Sequence, residues 1–362
     1  MNAKRFIDNI DPALTAIEPY TAGKPPPENA AGGAALKLSA NENPLGAGRA
    51  ALNVLAEPPP LHTYPDASAS RLRAAIGEQI GVAAANIVCG NGSGELIMLA
   101  AQLALRPGRK AVMSEHAFVL YRRACIACGG EPVAVATARF GHDLDAMATA
   151  ADDPDVAIVF VANPNNPTGS WHDADAINNF IAKVPERVLI VLDEAYQEYA
   201  GEPAELMPGA ALARENLLVT RTFSKIHGLA SLRVGYAIAC DEICQLLNLV
   251  GQPFRVNAFA QAAATAAIAD HEHVSLSQQT NRAGLSQLAA GLANRGYQTM
   301  NSQANFIAFA AEDSAAVFDQ LAAGGVMVRR IDEYGLPNWL RVTVGTEADN
   351  ERFLQLLPVQ RR

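Results

Sequence analysis

Lys225 lies in the run Thr222-Phe223-Ser224-Lys225-Ile226-His227-Gly228-Leu229, with Arg233 a few residues on. Hydroxyls and a guanidinium suit a phosphate. A lone lysine is usually a solvated charge, but one boxed by Phe223, Ile226 and Leu229 can act as a nucleophile if its pKa is lowered. Asp193-Glu194 end another apolar run. A carboxylate there needs a cationic partner, serves as a helix N-cap, or belongs to a Walker B strand. No G-x-x-x-x-G-K-[ST] accompanies it, so the last reading lacks its phosphate loop. Asn163-Pro164-Asn165-Asn166-Pro167-Thr168-Gly169 is a sharp turn that fixes asparagine side chains at low entropic cost. Gly90-Asn91-Gly92-Ser93-Gly94-Glu95 precedes an apolar helical stretch; small residues and free N–H groups at a helix start form an anion site. The same turn resembles a dinucleotide fingerprint, with Glu115 at about the right distance for a ribose, but Glu95 stands where the third glycine belongs.

Each of these groups follows a short apolar run. Seven runs read as buried strands, at 86–89, 110–114, 132–136, 156–162, 187–192, 217–221 and 234–239, with helical stretches between most of them. Continuous apolar strands alternating with helices imply an α/β fold with a mainly parallel sheet covered on both faces. Ligands of such sheets bind beyond the carboxyl ends of the strands, where these groups fall. From about Asn257 the pattern becomes long helix up to Arg295, followed by strand-like 305–310, a helix around 315–323, and strands near 326–329 and 340–344. That pattern implies a smaller α+β domain. The Pro/Gly/Ala-rich 21–33 reads as an extended arm. The expected division is an arm over 1–49 joining the small domain, a large domain over 50–270 and a small domain over 271–362.

The chain has 362 residues, half of them apolar, and a net charge of −9. A length of this order suggests about two domains. Scattered Lys and Arg argue against nucleic acid, and no apolar run approaches the ~18 residues that span a bilayer. The amino-terminal stretch lacks the features of a secretory signal, so a cytoplasmic location is expected. Five cysteines include a C-x-x-C at Cys125/Cys128 and a C-x-x-x-C at Cys240/Cys244. Four thiols could hold zinc, but free cysteines in such segments more often behave as small buried hydrophobes, and no metal is expected.

Together these residues resemble the histidinol-phosphate aminotransferase family of fold-type I pyridoxal-phosphate enzymes. The resemblance runs over nearly the whole chain, through EPYTAGKP, SANENPLG, TYPD, GNGSGE, EHAFVLY, NPNNPTG, LDEAY, TFSKIHGLASLRVGY, NFIAF and LRVTVGT. It implies pyridoxal 5'-phosphate as cofactor and amino transfer between histidinol phosphate and 2-oxoglutarate in a ping-pong cycle, in a homodimer with shared active sites. Lys225 matches the Schiff-base lysine that also carries the proton, and Asp193 the carboxylate facing the pyridine nitrogen. Asn166 and Tyr196 match the pair bonded to the ring's 3'-oxygen, and Phe118 the ring-stacking aromatic. Ser93, Gly94, Thr222, Ser224 and Arg233 match the phosphate cup, and Tyr64 a tyrosine reaching it from the neighbouring subunit. Arg341 matches the arginine that grips the substrate carboxylate, while Tyr20 and Arg329 fall where the substrate phosphate is contacted.

Two segments depart from the family pattern. The usual GLAGLR reads GLASLR, with Ser231, and R-Q-P-F-N-V-N reads Gly251-Gln252-Pro253-Phe254-Arg255-Val256-Asn257. One arginine is lost and another gained four residues on, which would either restore the charge or alter the substrate. Alternatives to the leading activity are an aromatic amino-acid aminotransferase, a lyase decarboxylating amino-acid phosphates, and an oxidoreductase built on GNGSGE.

Overall fold

The computed structural model describes residues 10–15, 17, 35–137, 139–200 and 214–360. Its centre is a seven-stranded sheet of β2 (Ile87–Gly90), β3 (Lys110–Ser114), β4 (Glu131–Val135), β5 (Val156–Ala162), β6 (Leu189–Asp193), β7 (Leu217–Thr222) and β8 (Gly235–Ile238). The strand order is β2-β8-β7-β6-β5-β3-β4, and only β8 runs against its neighbours. These are the seven apolar runs, displaced by no more than two residues at either end. β5 is buried along its whole length, as a central strand covered on both faces must be. The two faces carry separate apolar clusters. Val159, Val161, Ile190, Leu192 and Val219 belong to one, and Ile158, Phe160, Val191 and Leu218 to the other, which is the period-two alternation of strand side chains.

The carboxyl-terminal part builds its own core around Leu288, Leu292, Phe309, Val342 and Phe353. Its sheet has the order β11-β12-β9, from β9 (Phe306–Ala310), β11 (Arg329–Arg330) and β12 (Trp339–Thr343). β1 (Leu36–Lys37) pairs in parallel with β10 (Val326–Met327), so the described end of the arm is tied to this part. The single long helix expected after Asn257 is two helices, Ala258–Ala267 and His271–Asn294. Asp270 separates them: its side chain accepts from the His273 amide and caps the second helix, the role for which a short acidic side chain is suited. Among the described residues no helix is long and apolar enough to cross a membrane.

Candidate active site

The carboxyl ends of β5, β6 and β7 open into a cavity of ≈ 250 Å³. In register across these strands stand Ala162, Asp193 and Thr220, so a small residue leaves room beside a carboxylate that is only 5% exposed. Asp193 Oδ2 accepts from Tyr121 Oη at 2.7 Å and Oδ1 from Thr220 Oγ1 at 3.2 Å. Burial raises the Asp193 pKa, and the hydrogen bonds from Tyr121, Thr220 and the Ala195 amide, with the Lys225 charge, oppose that rise. A charge taken out of water needs a charged partner. The site therefore favours a cation in the cavity beside Asp193.

Lys225 follows β7, half-buried, with Nζ 3.4 Å from the Ala40 carbonyl and 5.4 Å from the centre of the Tyr196 ring. Burial raises the Tyr196 pKa. Its hydroxyl accepts from Asn41 Nδ2 at 2.8 Å, which leaves its proton for another acceptor. Asn166 is fixed by the turn after β5, in which the peptide bonds preceding Pro164 and Pro167 are cis. Asn163 closes that turn through the His172 amide and carbonyl, each at 2.9 Å. Asn166 Oδ1 accepts from Arg341 Nη1, and Arg341 Nη2 donates to the Ser39 carbonyl at 3.1 Å. The buried Arg341 Nε has no hydrogen-bond partner, so the guanidinium can still take an incoming anion.

The other end of the cavity is an anion cradle. The helix Ser93–Ala104 starts without a side-chain cap, leaving first-turn amides free of intrahelical partners; Ser93 and Gly94 line the cavity there with Thr222, Ser224 and Arg233. Arg233 Nη1 donates to Ser224 Oγ at 3.2 Å. Gly92 has φ +81°, which favours glycine, and a Cβ there would lie 2.6 Å from Arg233 Nη2 and displace the guanidinium. Glu95, in the place of a third fingerprint glycine, binds the Asn91 amide at 2.6 Å and fastens the loop. Glu115 is engaged by the Thr137 amide and hydroxyl, at 2.7 and 3.0 Å.

Of the residues singled out in the sequence, Ser93, Gly94, Phe118, Asn166, Asp193, Tyr196, Thr222, Ser224, Lys225, Arg233 and Arg341 line this one cavity. Tyr64 and Arg329 do not. Tyr64 is 80% exposed and stacks on Phe254, with 4.5 Å between ring centres. Arg329 is buried and ion-paired to Glu333. Tyr20 lies outside the described residues. Arg255 does not line the cavity: it donates to the Leu247 carbonyl and to Asn248. A Cβ on Gly251 would be 1.8 Å from its Nη1, so the gained arginine fills the space that the missing side chain leaves. Ser231 is exposed on the short turn Ala230–Leu232 and is not in the cavity wall. The four cysteines of the two spaced pairs are free thiols, three of them buried.

Sequence reasoning missed Tyr121, Thr220, Asn41 and Tyr334. Tyr121 lies three residues after Phe118, one helical turn. Thr220 lies two before Thr222 on β7, hence on the same face. Those spacings were the available signals.

An open α/β sheet with a lysine beyond one strand end, a buried carboxylate beyond the next and an anion cradle at a helix start is the architecture of class I and II aminotransferases, and the model of the family "Aminotransferase class I and II" matches residues 34–357. The chain is 47% identical over 361 residues to histidinol-phosphate aminotransferase 2 of Pseudomonas aeruginosa, covering 97% of each. It is 46% identical to histidinol-phosphate aminotransferase 1 of Dechloromonas aromatica, covering 95% of this chain and 96% of that one. The crystal structure of histidinol-phosphate aminotransferase from Sinorhizobium meliloti in complex with pyridoxal-5'-phosphate superposes with a TM-score of 0.88, at 25% identity, over 97% of this chain and 96% of that one. The chain thus belongs to the histidinol-phosphate aminotransferase family.

Proposed function

We propose that this enzyme exchanges an amino group between histidinol phosphate and 2-oxoglutarate, with pyridoxal 5'-phosphate as its cofactor. The observation that carries the reading is one cavity holding an amine, a buried carboxylate and an anion cradle, with a guanidinium open to a substrate anion. The donor set fits the cofactor. Amides of Ser93 and Gly94, hydroxyls of Thr222 and Ser224, and Arg233 would hold its phosphate. Asp193 would face its ring nitrogen, and Asn166 and Tyr196 its phenolic oxygen. When bound, the cofactor supplies an aldehyde to carry the amino group and a ring that withdraws electrons from the reacting carbon.

The residues of the chain do the rest. Lys225 Nζ would supply the amine that holds the cofactor and the base that moves the substrate α-proton. Tyr121 and Thr220 donate to Asp193 and favour its anionic form, opposing the larger effect of its burial. Asn41 orients the Tyr196 hydroxyl, while Arg341, braced by Ser39 and Asn166, takes the substrate anion. Phe118, packed edge-on to Tyr121 with 5.7 Å between ring centres, walls the site against water. A panel of donors on the loaded enzyme tests the substrate. Histidinol phosphate should convert the cofactor to its amine form with kcat/KM at least about tenfold above phenylalanine, about 1.4 kcal/mol of discrimination. A preference for phenylalanine would establish an aromatic aminotransferase. Carbon dioxide release without keto-product would establish a decarboxylase.

The active unit is a homodimer in this reading, with residues 50–270 as the cofactor-binding domain and 271–362 as a small domain joined by the arm over 1–49. Exposed Leu61, Tyr64, Leu249 and Phe254 support a subunit interface, since large exposed apolar groups mark contact surfaces. Sedimentation should give twice the mass of one chain at micromolar concentration. A monomer that transaminates at full rate would exclude a site completed by Tyr64 of a second subunit.

A further inference from the structure

Arg329 and Arg341 face each other across the antiparallel pair β11–β12. Such cross-strand partners share a face of the sheet, with Cβ atoms about 4.5–5.5 Å apart. Both are nearly buried, at 7% and 5% exposure. Two neighbouring guanidinium groups stripped of water repel each other unless an anion compensates them. Glu333 supplies one. It stands on the short turn Asp332–Tyr334, four residues after Arg329, and its carboxylate is ion-paired to Arg329 Nη2. The next residue, Tyr334, shares the wall of the active-site cavity with Arg341. Glu333 also borders a second cavity of ≈ 670 Å³, to which Arg122 and Arg123 contribute and which shares Phe118 and Tyr334 with the first. The carboxylate therefore has space to move into, beside a wall that carries Glu115 and Glu131 as well as the two arginines.

We infer that Glu333 is an exchangeable counterion for Arg329. It holds that arginine while a carboxylate substrate occupies Arg341, and gives it up when a phosphate monoester needs both arginines. This rests on the proposed function, in which one site must accept two anions of different charge in turn. An amino-acid carboxylate brings one charge, which Arg341 can meet alone. A phosphate monoester brings about −1.5 to −2 at neutral pH, with a second pKa near 6, and offers three oxygens to two forked donors. With Arg329 permanently open, the paired arginines would also overbind the carboxylate. With Glu333 in competition, the second guanidinium is engaged only by the more highly charged ligand.

The test uses the cofactor-loaded enzyme with Glu333→Gln and Glu333→Asp. Inorganic phosphate is the probe, its affinity measured by calorimetry and by inhibition of the glutamate half-reaction. In Glu333→Gln phosphate should bind about tenfold more tightly while the KM for glutamate changes by less than about twofold, because only the dianion recruits Arg329. The gain should shrink as the pH falls below about 6, where phosphate loses its second charge. Glu333→Asp, which keeps the charge, should stay close to wild type. Equal effects on both ligands, or weaker phosphate binding in Glu333→Gln, would assign Glu333 a merely structural role and overturn the inference. Failure of wild type to transaminate histidinol phosphate would instead remove the proposed substrate, and the phosphate-to-glutamate ratio would still report on the counterion.

Discussion

Replacing Lys225 with alanine is expected to lower kcat by more than about 10⁴-fold, the upper end of what a positioned general acid–base contributes, since the amine is also the nucleophile. The yellow colour that a lysine-linked cofactor gives the enzyme should disappear. The fold should survive. The hydrogen bond from Nζ to the Ala40 carbonyl is long, at 3.4 Å, and the neighbouring Phe223, Ile226 and Leu229 are buried in the core. Thermal melting of the apo-protein should therefore stay within a few degrees of wild type, corresponding to about 0.5–1 kcal/mol. The anion cradle is untouched, so the variant should still bind the cofactor reversibly through its phosphate. A variant that retained a tenth of the wild-type rate would show that another group performs the chemistry.

Asp193→Asn should separate activity from stability. Asp193 is buried with a raised pKa, chiefly through desolvation. A carboxyl group whose folded pKa lies above its unfolded value favours the fold at low pH. That contribution is lost as the pH rises through the folded pKa, so at neutral pH ionised Asp193 burdens the apo-protein. Asparagine has the same shape and carries no charge; its one carbonyl oxygen can accept from one of the Tyr121 and Thr220 hydroxyls, and its amide can donate to the other. The apo-variant should thus melt at or above the wild-type temperature at pH 7, with the difference vanishing toward pH 4. The loaded variant should lose on the order of 10²–10³-fold in kcat, the usual effect of removing one preorganised electrostatic group. Apo-protein destabilised at neutral pH, together with nearly full activity, would contradict the role given to Asp193.

The large sheet was readable because its signal is local. Runs such as 156–162 are uniformly apolar, and only a strand buried on both faces needs that pattern. The residues beyond the strand ends were readable for the same reason: Asp193 follows such a run directly, and Asn166 and Lys225 lie four residues beyond theirs. The supports of those residues were less visible. Tyr121 meets Asp193 across 72 residues, Asn41 meets Tyr196 across 155, and Asn41 meets Thr343 across 302. No spacing rule reaches that far; the crossovers of the sheet and the pairing of the arm end set these contacts. The break at Asp270 was hidden because alanine-rich and polar helical stretches adjoin without proline or glycine, and only the cap geometry ends one and starts the other. Arg329 was identified by its place in the chain. Its ion pair with Glu333 depends on a turn conformation that composition does not reveal. The exchange of Gly251 for Arg255 looked like a change near the substrate, but the arginine fills a local void against the helix Asp241–Val250.

The account rests most heavily on the amine beyond β7. Borohydride reduction of the cofactor-loaded enzyme, followed by proteolysis and mapping of the pyridoxyl-labelled peptide, addresses it directly. The label should appear on the peptide containing Thr222-Phe223-Ser224-Lys225, at one site per chain. A label on any other lysine, or none at all on a loaded and active enzyme, would contradict it.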